Sequence, residues 1–316
     1  MQKGVSRLGV RLSFEEAAED YLALTGIEIS ARTVRRLTEE NGKRLGEIQA
    51  EEEREALSDE PLPALGPREG EVEEKHWGVS LDGTMVNIRE VKIGAVFNFW
   101  EEEKGEGREV RMGEISYRAG LWSGEEIGRA IWAETSKRGL EAEEIEVGVA
   151  DGALWIWEQI QTNYGWATQI VDWYHVSERI WEVGNTVYGV GGEEARRWVG
   201  EQLDLLWKGK AGEVIENIEG LEVRGEEKGE VVEEALIYLG NQRERGRLRY
   251  KYFRERGLPI GSGAVESGCK NVVGARCKRS GMRWSRGGVQ KVLNLRAELL
   301  SGRWDEAWDA LWQKAA

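Results

Sequence analysis

Apolar and polar positions change period along the chain, and each change marks an element. Between positions 13 and 40 the run "SFEEAAEDYLALTGIEISARTVRRLTEE" reads as two helices around a short turn. Ser13 with Glu16 makes a capping box, Thr25-Gly26 stops the first helix, and Ser30 or Thr33 starts the second. From His76 the period shortens to that of strands. "WGVSLDG", "VKIGAVFNFW" and "EVRMGEISY", separated by polar or glycine-containing breaks, predict an antiparallel meander. "SGEEIGRAIWAETSKRGL" returns to helical period behind a Ser123 cap. The strand "EIEVGVADG", the helix "ALWIWEQIQTN", the strand "WATQIVDWYHV" and a helix through Trp181 follow. A meander followed by alternating helix and strand predicts an α/β layer built on a mixed sheet flanked by helices. Positions 185–256 are charged and helix-periodic, which predicts a helical insertion that adds no strand.

Residues 47–75 interrupt this order. A charged helical run gives way to three of the chain's four prolines and then to an acidic stretch, the composition of a linker. The expected organisation is therefore a helix-turn-helix-like segment at 1–46, a charged helix and Pro-rich linker at 47–75, and an α/β domain at 76–316. In the first segment the second helix carries Arg32, Arg35 and Arg36, the basic helix of a DNA-binding hairpin. Any helical hairpin with one basic face reads the same way, so plain helical packing stands beside DNA contact.

Charge alters the picture of partners. The net charge of −14 by itself speaks against nucleic acid. Between Asn241 and Arg303, however, 12 Arg and 4 Lys face 4 Glu, a local +12 that leaves −26 on the rest of the chain. Phosphate contacts are local, and screening limits reach to about 8–10 Å, so the asymmetry is the better guide. No run approaches the ~18 apolar residues of a membrane span, and "MQKGVSRLGVRL" lacks a signal-peptide core, so no membrane partner and a cytoplasmic location are expected. Cys269 and Cys277 match no zinc-ligand spacing and read as reduced thiols. With only His76 and His175 present, a multi-histidine zinc centre is disfavoured, and carboxylates are the expected ligands of any metal. Trp155, Trp157 and Trp173 lie in apolar segments and read as core rather than as base-stacking residues.

Two apolar runs end on the same dipeptide, Asp82-Gly83 in "HWGVSLDGTMVNI" and Asp151-Gly152 in "IEVGVADGALWIW". Asp and Gly commonly close strands as turn residues, which is one account of both. In a mixed sheet the two strands can lie side by side, so that both carboxylates meet at one crevice with a glycine beside each for close approach. Paired carboxylates repel unless a cation neutralises them, and Mg²⁺ takes this kind of oxygen site. A third acid, Glu266, opens a helix in "LPIGSGAVESGCKNVVGARCKRSGMRWS", with Lys270 and Val273 on its face and Arg276, Lys278, Arg279 and Arg283 following. Taken alone, Glu266 is a helix N-terminal acid with Lys270 as its ion-pair partner.

The combination "LDGTMV", "VADGALWIW", "DWYHV" and "IGSGAVESGCKNVVGARCKRSGMRWS" resembles the bacterial insertion-sequence DDE transposases of the Kra type, from about residue 8 to the C-terminus. The resemblance implies an RNase H-like catalytic fold at 76–316 and an acidic triad of Asp82, Asp151 and Glu266 that binds two Mg²⁺ or Mn²⁺ ions. Asp172 and His175 match a D-x-x-H signature, with His175 a secondary candidate for orienting DNA or water, or for donating a proton. Two-metal strand cleavage and transfer at transposon ends is the implied reaction, and DNA ends and target are the implied partners. A homodimer or larger synaptic assembly on the nucleoid is implied as well. Lys270, Arg276, Lys278, Arg279 and Arg283, with Arg32, Arg35 and Arg36, are the expected phosphate contacts. A relic that binds DNA without transposing and another RNase H-like nuclease are the alternatives.

Overall fold

A computed structural model of the chain describes residues 1–58, 75–105 and 107–313. Helices α1 (Gln2–Gly9), α2 (Phe14–Thr25) and α3 (Ala31–Ala56) come first, followed by strands β1 (His76–Val86), β2 (Arg89–Lys104) and β3 (Gly107–Gly120). Then come α4 (Gly124–Lys137), β4 (Ile145–Ala150), α5 (Leu154–Asn163), β5 (Thr168–Val171) and α6 (Trp173–Tyr188). Helices α7 (Glu193–Trp207), α8 (Ala211–Glu219), α9 (Glu226–Glu244) and α10 (Tyr250–Glu255) complete the charged block, so the described residues of 185–256 contain no strand. Last are α11 (Gly263–Gly268), a π-helical turn (Cys269–Gly274), α12 (Ala275–Cys277), α13 (Arg286–Leu300) and α14 (Trp304–Gln313).

The five strands form one mixed sheet in the order β3-β2-β1-β4-β5. β1, β2 and β3 are the antiparallel meander, and β4 and β5 add in parallel on the free edge of β1. Helices cover both faces, and two close approaches fix their seats. At Gly94 a β-carbon would lie 2.4 Å from Ile131 of α4, and at Gly268 one would lie 2.8 Å from both Ile93 and Tyr117, so α11 lies directly on the sheet. Ile93 and Gly94 are successive residues, and their opposite neighbours are the alternation of a strand read in space.

The local signals in the N-terminal sequence are realised. Ser13 and Glu16 form a reciprocal capping box, as do Ser123 and Glu126, and Gly26 ends α2 at φ 71°. Tertiary packing takes a different course from the expected division. α3 runs without a break across position 46, and its buried stripe of Val34, Leu37, Asn41, Leu45 and Ile48 faces the rest of the molecule. Leu45 and Ile48 share a core with Val292, Leu295, Trp304 and Trp308, and Gly42 approaches the carbonyl of Lys291 so closely that a β-carbon would lie 2.1 Å from it. The N-terminal helices are thus joined to the C-terminal ones by a shared apolar core. The proline-rich part of the expected linker, 59–74, lies outside the described residues. Among the described residues no helix is long and apolar enough to cross a membrane.

Candidate active site

β1 and β4 pair in parallel with Ser80 opposite Val149, and the pairing ends there. Asp82 and Asp151 each stand two residues beyond, on neighbouring strands. Their settings differ. Asp82-Gly83 is not a strand exit: β1 continues against β2 to Val86 and turns at Asn87, which adopts φ 56°. Asp151 does leave its strand, and Gly152 takes φ 108° to make the exit.

Each carboxylate is held in place. The Asp82 Oδ1 accepts from the Gly83 N–H at 2.6 Å, and its Oδ2 accepts from the Cys269 thiol at 3.1 Å. Asp151 Oδ1 accepts from the Ala153 N–H at 2.9 Å, and its backbone carbonyl accepts from the Tyr238 hydroxyl of α9 at 2.7 Å. Burial raises the Asp151 carboxyl above the ordinary range; the Ala153 N–H opposes this, and the negative charge of Asp82 adds to it. Burial also pushes the Cys269 thiol up, with the Asp82 and Glu266 charges adding to the rise.

Glu266 reaches the same place from the opposite side. Asp82, Glu266, His175, Cys269, Lys270 and Lys278 line one open cleft of about 570 Å³. A second cleft beside it is lined by Asp151, Glu178, Arg179 and Tyr238, and His175 borders both. Asp82 and Glu266 thus share one cleft, Asp151 lines the neighbouring one, and His175 borders both. Among the described residues the group whose ligand atoms all lie within 4.8 Å of one another is a different one, Asp172, His175 and Glu266, and these three could hold a metal ion. Asp172 is fully buried and caps α6: its Oδ1 accepts from the N–H groups of Tyr174 at 2.6 Å and His175 at 2.9 Å. Its Oδ2 accepts from the Ser262 N–H, and the Ser262 hydroxyl in turn donates to Glu266 Oε1 at 2.9 Å. Asp172 is thus the knot that ties the first turn of α6 to the segment delivering Glu266.

The Glu266 helix is not the uniform α-helix its period suggests. Its cleft-lining residues 266, 270, 274 and 278 are spaced by four. In an α-helix that spacing drifts by about 40° per step and would carry Lys278 off the cleft. The wider π-helical turn at Cys269–Gly274 offsets the drift, a device common at functional sites. Buried Arg296 of α13 braces the turn by donating from Nε to the Val272 carbonyl at 2.7 Å and from Nη2 to the Asn271 carbonyl.

The basic block needs two corrections. Arg276 does not face solvent: it is completely buried between the Phe14 and Trp284 rings, each 4.7 Å away, and donates from Nε to the Gly9 carbonyl at 3.1 Å. It is a structural cation and not a phosphate contact. Arg247, Arg296 and Arg303 are buried too, so the local charge excess overstates the basic surface. Arg279 is exposed, but its guanidinium is engaged by Glu16 at 2.6 and 2.7 Å. That bidentate pair, with the Ser13 cap, holds the Glu16 carboxyl down at about 2. Arg35 and Arg36 pair along α3 with Glu39 and Glu40, and Arg32 is exposed on the same helix. Lys270, Lys278 and Arg283 are exposed, and Lys278 donates to Thr84 Oγ1 at 2.6 Å beside Asp82.

Cys269 and Tyr238 escaped the sequence reading as site residues. Cys269 stands three residues after Glu266, a helical neighbour that the spacing was able to disclose; Tyr238 comes from the charged helical block and carried no signal. Compared with models of known protein families the chain matches none, and comparison with curated proteins finds no similar sequence.

Proposed function

We propose that this chain is a metal-dependent phosphoryl transferase acting on DNA, of the RNase H-like DDE transposase type. The observation that carries the reading is that Asp82 and Asp151, each two residues beyond the last pair of adjacent parallel strands, and Glu266 line two clefts that share His175. A meander extended by two parallel strands is the sheet that such a fold calls for. The residues suit a hard divalent cation: the ligands are carboxylate oxygens with one imidazole beside them, and Asp151 is disfavoured as a bare anion where it stands. Asp82, Asp151 and Glu266 would hold Mg²⁺ or Mn²⁺, which when bound supplies charge stabilisation to the attacking and leaving oxygens of an in-line displacement.

The chain's own groups do the rest. Cys269 and the Gly83 N–H orient the Asp82 carboxylate, Tyr238 and the Ala153 N–H hold the Asp151 turn, and Asp172 fixes His175 against Glu266. Lys270 and Lys278, on the same face as Glu266, meet the phosphates that flank the bond to be broken. Asp172 acts through its three backbone N–H partners as an anchor rather than as a ligand.

The test is a strand-cleavage assay on candidate transposon ends in Mg²⁺, Mn²⁺ and EDTA, with DNA affinity measured against salt alongside. Metal-dependent cleavage that Glu266→Gln abolishes while DNA affinity persists is the expected result. Replacing Lys270 and Lys278 by Ala should reduce the salt slope by about 0.9 per lost contact on duplex DNA. Binding without cleavage in every divalent metal would give the non-catalytic reading instead.

A further inference from the structure

Next to the carboxylate cluster, on the far side of Tyr174, lies a groove of about 820 Å³ between the β3 strand of the long hairpin and the helices of the charged block. We propose that this groove is a nucleobase subsite, which takes one unpaired base from the strand whose phosphate lies at the carboxylates. The inference rests on the proposed function and adds to it a preference for single-stranded or locally opened DNA.

The walls are aromatic where a base would stack. Tyr174 is 66% exposed and Trp207 40% exposed, and both rings border the groove. Trp207 is fixed in place: the Arg254 guanidinium covers one of its faces, 3.5 Å from the centroid, and the Trp173 ring packs against it in a T-shaped arrangement at 5.1 Å. The Nη2 of Arg254 is fixed on the Trp207 carbonyl at 2.8 Å, while its Nε is buried with no hydrogen-bond partner among the described residues. The Arg254 side chain is thereby fixed as the backing of Trp207, and the open ring of Tyr174 is left to a base. Gly261 keeps the Tyr174 ring clear, since a β-carbon there would lie 3.3 Å from it.

Charge selects the base over the phosphate. Glu101, Glu109 and Glu255 line the groove, and the Arg108 guanidinium is occupied by Glu101 at 3.2 Å. Such a lining repels a phosphate and accepts a neutral planar group. Position then selects the strand: Tyr174 immediately precedes His175, and its own N–H is one of the donors on Asp172, so a base against the Tyr174 ring belongs to a nucleotide next to the one at the acids. Stacking is tolerant of sequence, because every base has a π-face, so the subsite does not require a particular terminal base.

The test compares a fully paired duplex with the same duplex bearing a short single-stranded extension that carries 2-aminopurine, both in EDTA and in Mg²⁺. Parent protein should bind the extended DNA at least about tenfold more tightly and quench the 2-aminopurine, as base–aromatic stacking predicts. Tyr174→Ala should lose that preference with duplex binding unchanged, Tyr174→Phe should keep it, and Trp207→Phe should keep part of it. Equal affinity of the parent for the two DNAs, or a Tyr174→Ala variant with the preference intact, overturns the inference while leaving the cleavage reading standing. Failure to bind either DNA at low salt overturns both.

Discussion

Asp82-Gly83 and Asp151-Gly152 are the same dipeptide after the same kind of apolar run, yet they are two different structures. At Asp151 the chain stops being a strand: Gly152 turns through φ 108°, and its bare α-carbon lets the Tyr238 ring close in, where a β-carbon would be 2.7 Å from it. At Asp82 nothing stops, because β2 remains paired with β1 for four further residues, and a β-carbon on Gly83 would meet only the end of the Glu90 side chain at 2.2 Å. The lesson concerns cause. One carboxylate is aimed by a turn that only glycine can make, the other by the loss of one neighbour while the second neighbour stays. β4 ends and β2 does not, so Asp82 is left at the margin of the sheet without leaving its strand.

The largest expected effect treats the two sites as one. If the proposed function holds, replacing Asp82, Asp151 or Glu266 by its amide should each lower metal-dependent cleavage by roughly three orders of magnitude or more, since each would remove several kcal/mol of charge stabilisation from the proposed shared centre. The double variants should be little worse than the singles. If Asp82→Asn costs only a few-fold while Asp151→Asn is inactive, the carboxylates do not act together, and the cluster of Asp172, His175 and Glu266 becomes the better candidate for the metal.

Glycine carries the next effect. Gly152→Ala forces a residue with a side chain to φ 108°, pushes the Tyr238 ring away, and endangers its hydrogen bond to the Asp151 carbonyl. The strain and overpacking together should cost about 2–4 kcal/mol in urea denaturation. A loss below about 1 kcal/mol would mean that the turn relaxes freely and does not aim Asp151.

What could be read from the sequence follows the range of the interactions involved. The capping boxes of Ser13 and Ser123, the meander and the helical block are products of contacts within a few residues, and their patterns are local. The adjacency of Asp82 and Asp151 was within reach because parallel strands leave few arrangements. Arg276 was beyond it: a cation in a basic stretch looks solvent-facing, and only the arrival of Phe14 and the Gly9 carbonyl from the opposite end of the chain buries it. The π-helical turn was beyond it as well, because its brace is Arg296, on a different helix. The continuation of α3 past position 46 was beyond it for a related reason. The apolar stripe that continues along α3 finds its partners in α13 and α14, far away in sequence.

A smaller effect concerns the acidity of Asp151. Its carboxyl is raised, first by burial and then by the charge of Asp82. The folded protein therefore holds this proton more tightly than the unfolded chain does. The stability this group contributes is present below the ordinary carboxylate range, near pH 4, and is lost as pH rises through the raised value. Without divalent metal, Asp151→Asn should keep its melting temperature better than the parent between pH 4 and pH 8. Added Mg²⁺ should raise the parent's melting temperature at neutral pH and leave that of the variant unmoved, because an ion that binds only the folded state stabilises it by mass action. Parallel pH profiles for the two proteins would show that Asp151 is not strained as an anion.

Gly83→Ala should do least, and for that reason it sharpens the comparison most. The backbone of β1 is ordinary at this position, so alanine introduces no conformational strain and removes some freedom from the unfolded chain, a gain of about 0.4–1 kcal/mol. Against this, the Glu90 carboxylate must swing aside and give up its 3.1 Å pairing with Lys92. An ion pair this exposed on the glutamate side is worth little, so the net change should fall within about 0.5 kcal/mol of zero. The added carbon points at Glu90 rather than into the cleft, so cleavage should stay within a few-fold of the parent. A stable Gly83→Ala protein that has lost cleavage would mean that the strand itself, and not only the Asp82 side chain, touches the DNA. The two Asp-Gly pairs would then resemble each other in use although they differ in form.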